Sequence, residues 1–239
     1  MKPPVVLEVC VDSVESAVAA QRGGAKRVEL CGDLVEGGTT PSVGTIEIVR
    51  KNLSIAVHVM IRPRGGDFRY SDFEYEVMMR DIAAAKRLDA DGVVLGILTA
   101  KGNIDVKRTR ALVKAARPMS VTFHRAFDVA KNPLSALEDL IEIGIDRLLT
   151  SGQRKTALAG SALIARLIKR AGGRIVIMPG CGINAANAQS IIEKTGATEL
   201  HVASAVTKRK KISTTGTFVF GNVNTVDEKK VRQIIKSIS

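Results

Sequence analysis

The chain has 239 residues, 45% of them hydrophobic, which is enough for one well-buried domain or two small ones. Nowhere do about 18 uncharged apolar residues run together, and the start MKPPVVLEVC has too short an apolar run for a leader, so neither a membrane span nor a secretory signal is expected. Three cysteines make no disulfide framework, and the formal charge of +12 comes with only 3% aromatics and no tryptophan, which leaves few stacking platforms for nucleic acid.

Short β-branched runs alternate with longer amphipathic stretches along the whole sequence. A first strand is predicted at 5–10, then a helix at 13–23 capped by Ser13. A strand at 26–31 leads past Gly37-Gly38 to a helix at 42–51, and a strand at 54–61 to a helix at 73–88. Strands at 91–95 and 119–124 precede helices at 105–117, opened by Asp105, and 133–143, where Asn132-Pro133 places a cap before a first-turn proline. Strands at 146–150, 174–178 and 199–203 precede helices at 157–171, 184–194 and 226–237. Gly23-Gly24, Gly144, Gly172-Gly173 and Gly196 stand where a left-handed residue can end a helix.

Eight evenly spaced units with no Pro/Gly/Ser linker predict one α/β domain over 1–239, a (β/α)8 barrel of the TIM type, in preference to an open doubly wound sheet. From about residue 206 the chain turns basic, with eight Lys/Arg against two Asp/Glu including Lys208-Arg209-Lys210-Lys211. It reads as a less regular, solvated segment rather than a polyanion or nuclear-targeting patch.

Several of these strands carry a polar, ionisable residue at every second position: Leu7-Glu8-Val9-Cys10, Arg27-Val28-Glu29-Leu30-Cys31, His58-Val59-Met60-Ile61-Arg62, Thr122-Phe123-His124 and Glu199-Leu200-His201. Side chains alternate faces along a strand, so each polar set shares one face. Parallel strands are normally apolar on both covered faces, so the exception marks a chemically active interior. Sites in such barrels lie at the C-terminal ends of the strands, where these residues fall.

Cys10 and Cys31 end neighbouring strands at what the sequence suggests is one level, either as two soft-metal ligands suited to Cu(I) or Zn or as small buried hydrophobes. Cys181, in Pro179-Gly180-Cys181-Gly182, joins them only if its loop folds inward. Glu8, Arg27, Glu29 and Arg62 form either a mutually paired salt-bridge layer or, where a carboxylate is left unpaired, a general acid or base. Arg62-Pro63-Arg64-Gly65-Gly66-Asp67 and His124-Arg125-Ala126-Phe127-Asp128 offer Arg forks, an imidazole and a carboxylate for a small anion, or else scaffold their own loops. Ser151, Gly180 and Gly182 supply backbone N–H groups for a phosphate, or merely turn tightly. His201 points toward the same mouth, and His58, deeper in its strand, reads as a satisfied core histidine.

Taken in order, Glu-Val-Cys at 8–10, Arg-Val-Glu-Leu-Cys at 27–31, Gly37 to Ser42, Met60 to Phe68, Thr122 to Asp128 and Leu149 to Gln153 resemble the CutC copper homeostasis family from Glu8 to His201. The resemblance implies a TIM-type barrel, a cytoplasmic and in eukaryotes also nuclear location, homo-oligomers such as dimers or tetramers, and a role in copper handling. It implies Cu(I) binding at Cys10 and Cys31, with no organic cofactor. Cys181 stands where similar sequences usually carry a small residue, and the segment beyond Val206 departs from the pattern. Two functions follow as expectations. One is a Cu(I)-binding protein that buffers or delivers copper. The other is an enzyme acting on a small anionic or phosphorylated metabolite, with Glu8, Glu29, His124 and Asp128 as candidates for proton transfer and Arg27, Arg62, Arg64, Arg125 and His201 for binding.

Overall fold

In the computed structural model, which describes residues 4–210 and 223–238, eight parallel strands alternate with helices. The strands are β1 (Val6–Val11), β2 (Arg27–Leu30), β3 (Ala56–Met60), β4 (Gly92–Leu95), β5 (Ser120–Phe123), β6 (Arg147–Thr150), β7 (Val176–Pro179) and β8 (Glu199–Val202). Ladders connect them in the order β7-β6-β5-β4-β3-β2-β1-β8, and β7 lies beside β8 across the remaining seam. The helices are α1 (Val14–Arg22), α2 (Val43–Asn52), α3 (Asp72–Arg87), α4 (Val106–Ala116), α5 (Pro133–Ile143), α6 (Ser161–Ala171), α7 (Ala188–Thr195) and α8 (Glu228–Ser237). This is the expected α/β barrel.

Local chemistry accounts for the helix boundaries. Ser13 accepts from the Ser16 backbone N–H, Asp105 from that of Arg108, and Ser71 with Glu74 closes a capping box on α3. Asn132 accepts from two backbone N–H groups ahead of Pro133. Gly144, Gly172 and Gly196 end their helices in the left-handed conformation. Gly23 serves differently: a Cβ there would lie 2.5 Å from that of Val231, so its absence lets α8 seat against α1.

Beyond residue 206 the described chain is more regular than its composition predicts. Here β9 (Thr207–Lys210) pairs antiparallel with β10 (Val223–Val226), and α8 buries Val231 and Ile234. Lys208 lies 3.5 Å from Asp227, and Lys230 donates to the Thr207 carbonyl at 2.7 Å. The basic run is therefore partly tied to the hairpin; its last member, Lys211, lies outside the described residues.

Alternation divides the interior into two cores. Leu7, Val9, Val28, Leu30, Val57, Val59, Val93, Val121 and Phe123 join helix residues such as Ala17, Val49, Met78 and Leu112 in one apolar cluster between barrel and helices. A separate small cluster of Cys10, Cys31, Met60 and Val94 belongs to the opposite strand faces, inside the barrel. Below it lies an ionic layer. Arg27 is bonded to Glu8 through Nε and to Glu199 at 2.5 Å, while Arg147 Nε donates to Glu199 at 2.6 Å and its Nη1 to Ser120 Oγ at 3.2 Å. Glu8 is wholly buried, and Arg27 is 6% exposed.

Burial raises a carboxyl's affinity for its proton, yet beside Glu8 the Arg27 guanidinium and the His201 imidazole outweigh it and hold that group well below the usual range. Glu199 is likewise lowered, burial being overcome by Arg147 and Arg27. Removing Arg27 leaves Glu8 with only His201 and Glu199 with only Arg147 as counter-charge. We therefore expect Arg27→Met to lose about 3–5 kcal/mol in urea unfolding, because Glu8 and Glu199 each lose the buried guanidinium that bridges them. A loss below about 1 kcal/mol would show that the layer contributes little.

Candidate functional site

The inward faces of the strands open into a cavity of about 750 Å³ at their C-terminal ends. Its lining includes Cys10, Glu29, Met60, Arg62, His124 and His201, with Leu34 and Val35 from the loop after β2 and Asn224 and Val226 from β10 at the rim. The hairpin contribution was not legible in the sequence. Neither was the role of Gly92 on β4 and Gly96 just past its end, which flank the inward Val94. A Cβ on Gly92 would sit 2.5 Å from the His58 ring, and one on Gly96 2.5 Å from the His124 ring, so two missing side chains make room for two imidazoles.

One wall is a cluster of sulfur, carboxylate and imidazole. Cys10 is in register with Glu29 rather than with Cys31, so the thiols are not level as expected; Cys31 stands one pleat further along. Their sulfurs nonetheless lie 3.8 Å apart, and both are free thiols. Cys31 Sγ is 3.8 Å from Glu29 Oε2, and Cys10, Glu29 and Cys31 place one donor atom each within 4.8 Å of one another. The hydrogen bond between the thiols and burial push Cys10 well above its ordinary value. For Cys31 that same bond pulls down, but burial and the Glu29 carboxylate carry it up to about 11.

His201 links this wall to the ionic layer. Its Nδ1 is 2.8 Å from Glu8 Oε1 and its Nε2 3.7 Å from Glu29 Oε2. Burial opposes the imidazolium, but Glu29, Cys10 and Glu8 together raise His201 well above neutral-range titration. Among the described residues, Glu29 is the one buried carboxylate with an unpartnered oxygen: its Oε1 has no hydrogen bond, and burial raises its pKa despite His201. Unlike Glu8, it is placed to hold or release a proton.

The other wall carries His124, Arg62 and Phe68. His124 Nδ1 accepts from the Ala126 backbone N–H at 3.1 Å, which puts the ring proton on Nε2, a buried atom with no partner among the described residues. Burial, then the nearby Arg62 charge, push this histidine down to about 3, so it is neutral. Arg62 donates to the carbonyls of Glu36 and Gly38 at 2.8 Å and of Gly66 at 3.1 Å, while its buried Nε is unpartnered.

Several expected site residues are occupied elsewhere. Arg27 and Glu8 belong to the ionic layer, closing the salt-bridge alternative in its favour for that pair. Arg64 bonds to Glu74 at 2.6 Å and Asp67 at 3.1 Å and organises its own loop. Asp128 accepts from Thr150 Oγ1 at 2.5 Å, Ser151 Oγ at 2.9 Å, Arg125 Nε at 2.8 Å and the Ser151 and Gln153 backbone, so its oxygens are engaged in tying two loops together. The Ser151 N–H is bonded to Asp128 and the Gly180 N–H to the Thr150 carbonyl, so neither N–H is free for phosphate. Arg125 and Gly182 do reach the cavity lining. Cys181 lines the rim, but its thiol bonds the Lys155 carbonyl at 3.0 Å and stands outside the Cys10–Cys31 group. His58 is buried as expected but not satisfied, since Nδ1 has no partner; burial lowers it to about 4.

A parallel α/β barrel with an ion-paired floor and a thiol-bearing cavity at its strand C-termini defines a TIM-type barrel with a polar interior site. Within that class, the chain belongs to the CutC family, whose sequence profile matches residues 5–206. It is 56% identical over 203 residues to the human copper homeostasis protein cutC homolog, covering 85% of this chain and 74% of the relative. To the CutC family protein of Bacteroides fragilis strain ATCC 25285 it is 47% identical over 246 residues, covering 98% and 97%. The crystal structure of CutC from Streptococcus agalactiae superposes with a TM-score of 0.80 at 36% identity, over 83% of this chain and 98% of that one. A thiamine phosphate pyrophosphorylase from Pyrococcus furiosus, 17% identical with a TM-score of 0.63 over 98% and 95% of the two chains, shares the fold alone.

Two outcomes test this geometry. The unfolded imidazole titrates near pH ~6.5 while His124 stays neutral to about 3, so below neutrality the unfolded chain binds more protons and stability falls as pH drops. His124→Asn should flatten the loss between neutral pH and about pH 4.5 by on the order of 2 kcal/mol in urea midpoints; an unchanged slope would place the proton linkage elsewhere. Gly96→Ala should cost about 1–3 kcal/mol by thermal unfolding, because its Cβ meets the His124 ring.

Proposed function

We propose that this protein binds copper as Cu(I) through Cys10 and Cys31 and buffers or delivers it within the cytoplasm, working as a homo-oligomer. The observation that carries the metal reading is the 3.8 Å separation of two buried thiols beside a carboxylate. Metal–sulfur bonds of about 2.3 Å, the length of zinc thiolates, span that gap at an angle of about 110°, which suits a three- or four-coordinate soft ion. Glu29 stands where it could complete the set, though soft-ion affinity rests on the sulfurs. The human and mouse relatives carry copper homeostasis in their names, which supports copper as the cargo.

Both thiols are protonated at neutral pH, so loading displaces their protons. Because both thiol pKa values are raised, affinity should strengthen as pH rises, by up to about 100-fold per pH unit while two protons leave. Anaerobic competition against a Cu(I) chelator tests both parts. The Cys10→Ser, Cys31→Ser double variant should lose at least about 100-fold in affinity, and an affinity equal to the parent's would remove the thiols as the site.

A second reading, an enzyme acting on a small anion by general acid–base chemistry, is favoured by the opposite wall. Glu29 Oε1, Arg62 Nε and His124 Nε2 are three buried polar atoms without partners in residues that line one cavity. A metal carrier has no use for the two donors on that wall. In this reading Glu29 moves the proton, Arg62 and His124 hold the substrate, and Arg125 and Gly182 border it.

A further inference from the structure

We infer that the Arg62–His124–Phe68 wall is a binding site for a small organic carboxylate, with His124 acting as a neutral hydrogen-bond donor. The inference deepens the second reading above and rests on it. A guanidinium that is 5% exposed needs compensating negative charge, yet among the described residues Arg62 has no carboxylate within ion-pair distance. Three backbone carbonyls hold its two terminal nitrogens and fix the group in place. They leave Nε–H buried and unpaired.

The second donor is fixed as firmly. His124 is 4% exposed, the Ala126 N–H occupies its Nδ1, and the bare Gly96 lies against the ring. Only the Nε2–H remains, and it too has no partner. Phe68 ties the two together: its ring centroid is 4.9 Å from that of His124 and 5.3 Å from Arg62 Cζ. All three residues line the cavity.

The ligand class follows from this inventory. Two N–H donors with no acceptor between them take oxygens, and one formal positive charge matches a monoanion. A phosphate monoester, with up to two negative charges and three terminal oxygens, would need more donors than this wall supplies; the Gly180 and Ser151 N–H groups are already bonded, which leaves Gly182 as the backbone donor of that set bordering the cavity. Leu149, Ile183, Leu34 and Met60 add apolar surface to the cavity, which suits an organic body rather than an inorganic ion.

Titration calorimetry of the metal-free protein with acetate, benzoate and inorganic phosphate tests the assignment. Saturable binding of benzoate, at millimolar affinity or tighter and weakened at least tenfold in His124→Asn, is the expected result. A nitrogen-15 spectrum of the unaltered protein gives a check that does not depend on folding of the variant: benzoate should shift the His124 Nε2–H signal and leave His58 in place. Absence of saturable carboxylate binding, equal binding by the variant, or a shift at His58 alone would each overturn the inference. If phosphate binds at His124 and carboxylates do not, the carboxylate assignment fails while the anion reading survives; if neither binds, both fall.

Discussion

Two guanidiniums and two carboxylates in the lower barrel, all buried but the half-buried Arg147, have little water to turn to and neutralise one another. Arg27 sits at the centre, bridging Glu8 on β1 to Glu199 on β8, and Arg147 on β6 completes the chain. Because Glu8 is kept ionised from below, it can hold His201 from the side, and His201 in turn leans on Glu29. The cavity's chemistry is thus inherited from its floor. Without a charged Glu8, His201 would lose the partner that fixes its ring, and Glu29 would lose the nearest positive charge.

Above that floor the two walls differ in kind. The Cys10–Cys31–Glu29 wall offers soft and ionisable donors that must shed protons before they can ligate anything positive. The Arg62–His124 wall offers only N–H donors, fixed by backbone contacts, that invite something negative. A single cavity of about 750 Å³ holds both, large enough for an ion and a small organic molecule together. The geometry therefore lets one protein carry a copper-handling role and a small-molecule site without separate domains.

The barrel was legible because period-2 alternation and helix caps are local properties, and so was the convergence of Cys10, Glu29, Arg62, His124 and His201 on one mouth. What each residue does there was not. Asp128 and Ser151 resemble exposed site residues in the sequence but are bonded to each other across two loops. Arg64 lies two positions from Arg62 and turns away to Glu74. Arg147 stands beside Asp146 and passed for an ordinary strand start, although it shares parity with the inward Leu149. Gly92 and Gly96 acquire meaning only once the neighbouring imidazoles are placed, and the hairpin after residue 206 forms despite a polar, charged sequence.

The account turns on His201 being an imidazolium held between two carboxylates while the other two histidines are neutral. Nitrogen-15 spectra of histidine-labelled protein at neutral pH report the three protonation states directly. The structure predicts both ring nitrogens of His201 protonated and a proton on only one nitrogen of His58 and of His124. A neutral His201 under those conditions would contradict it, because the ionic floor would then not reach the cavity.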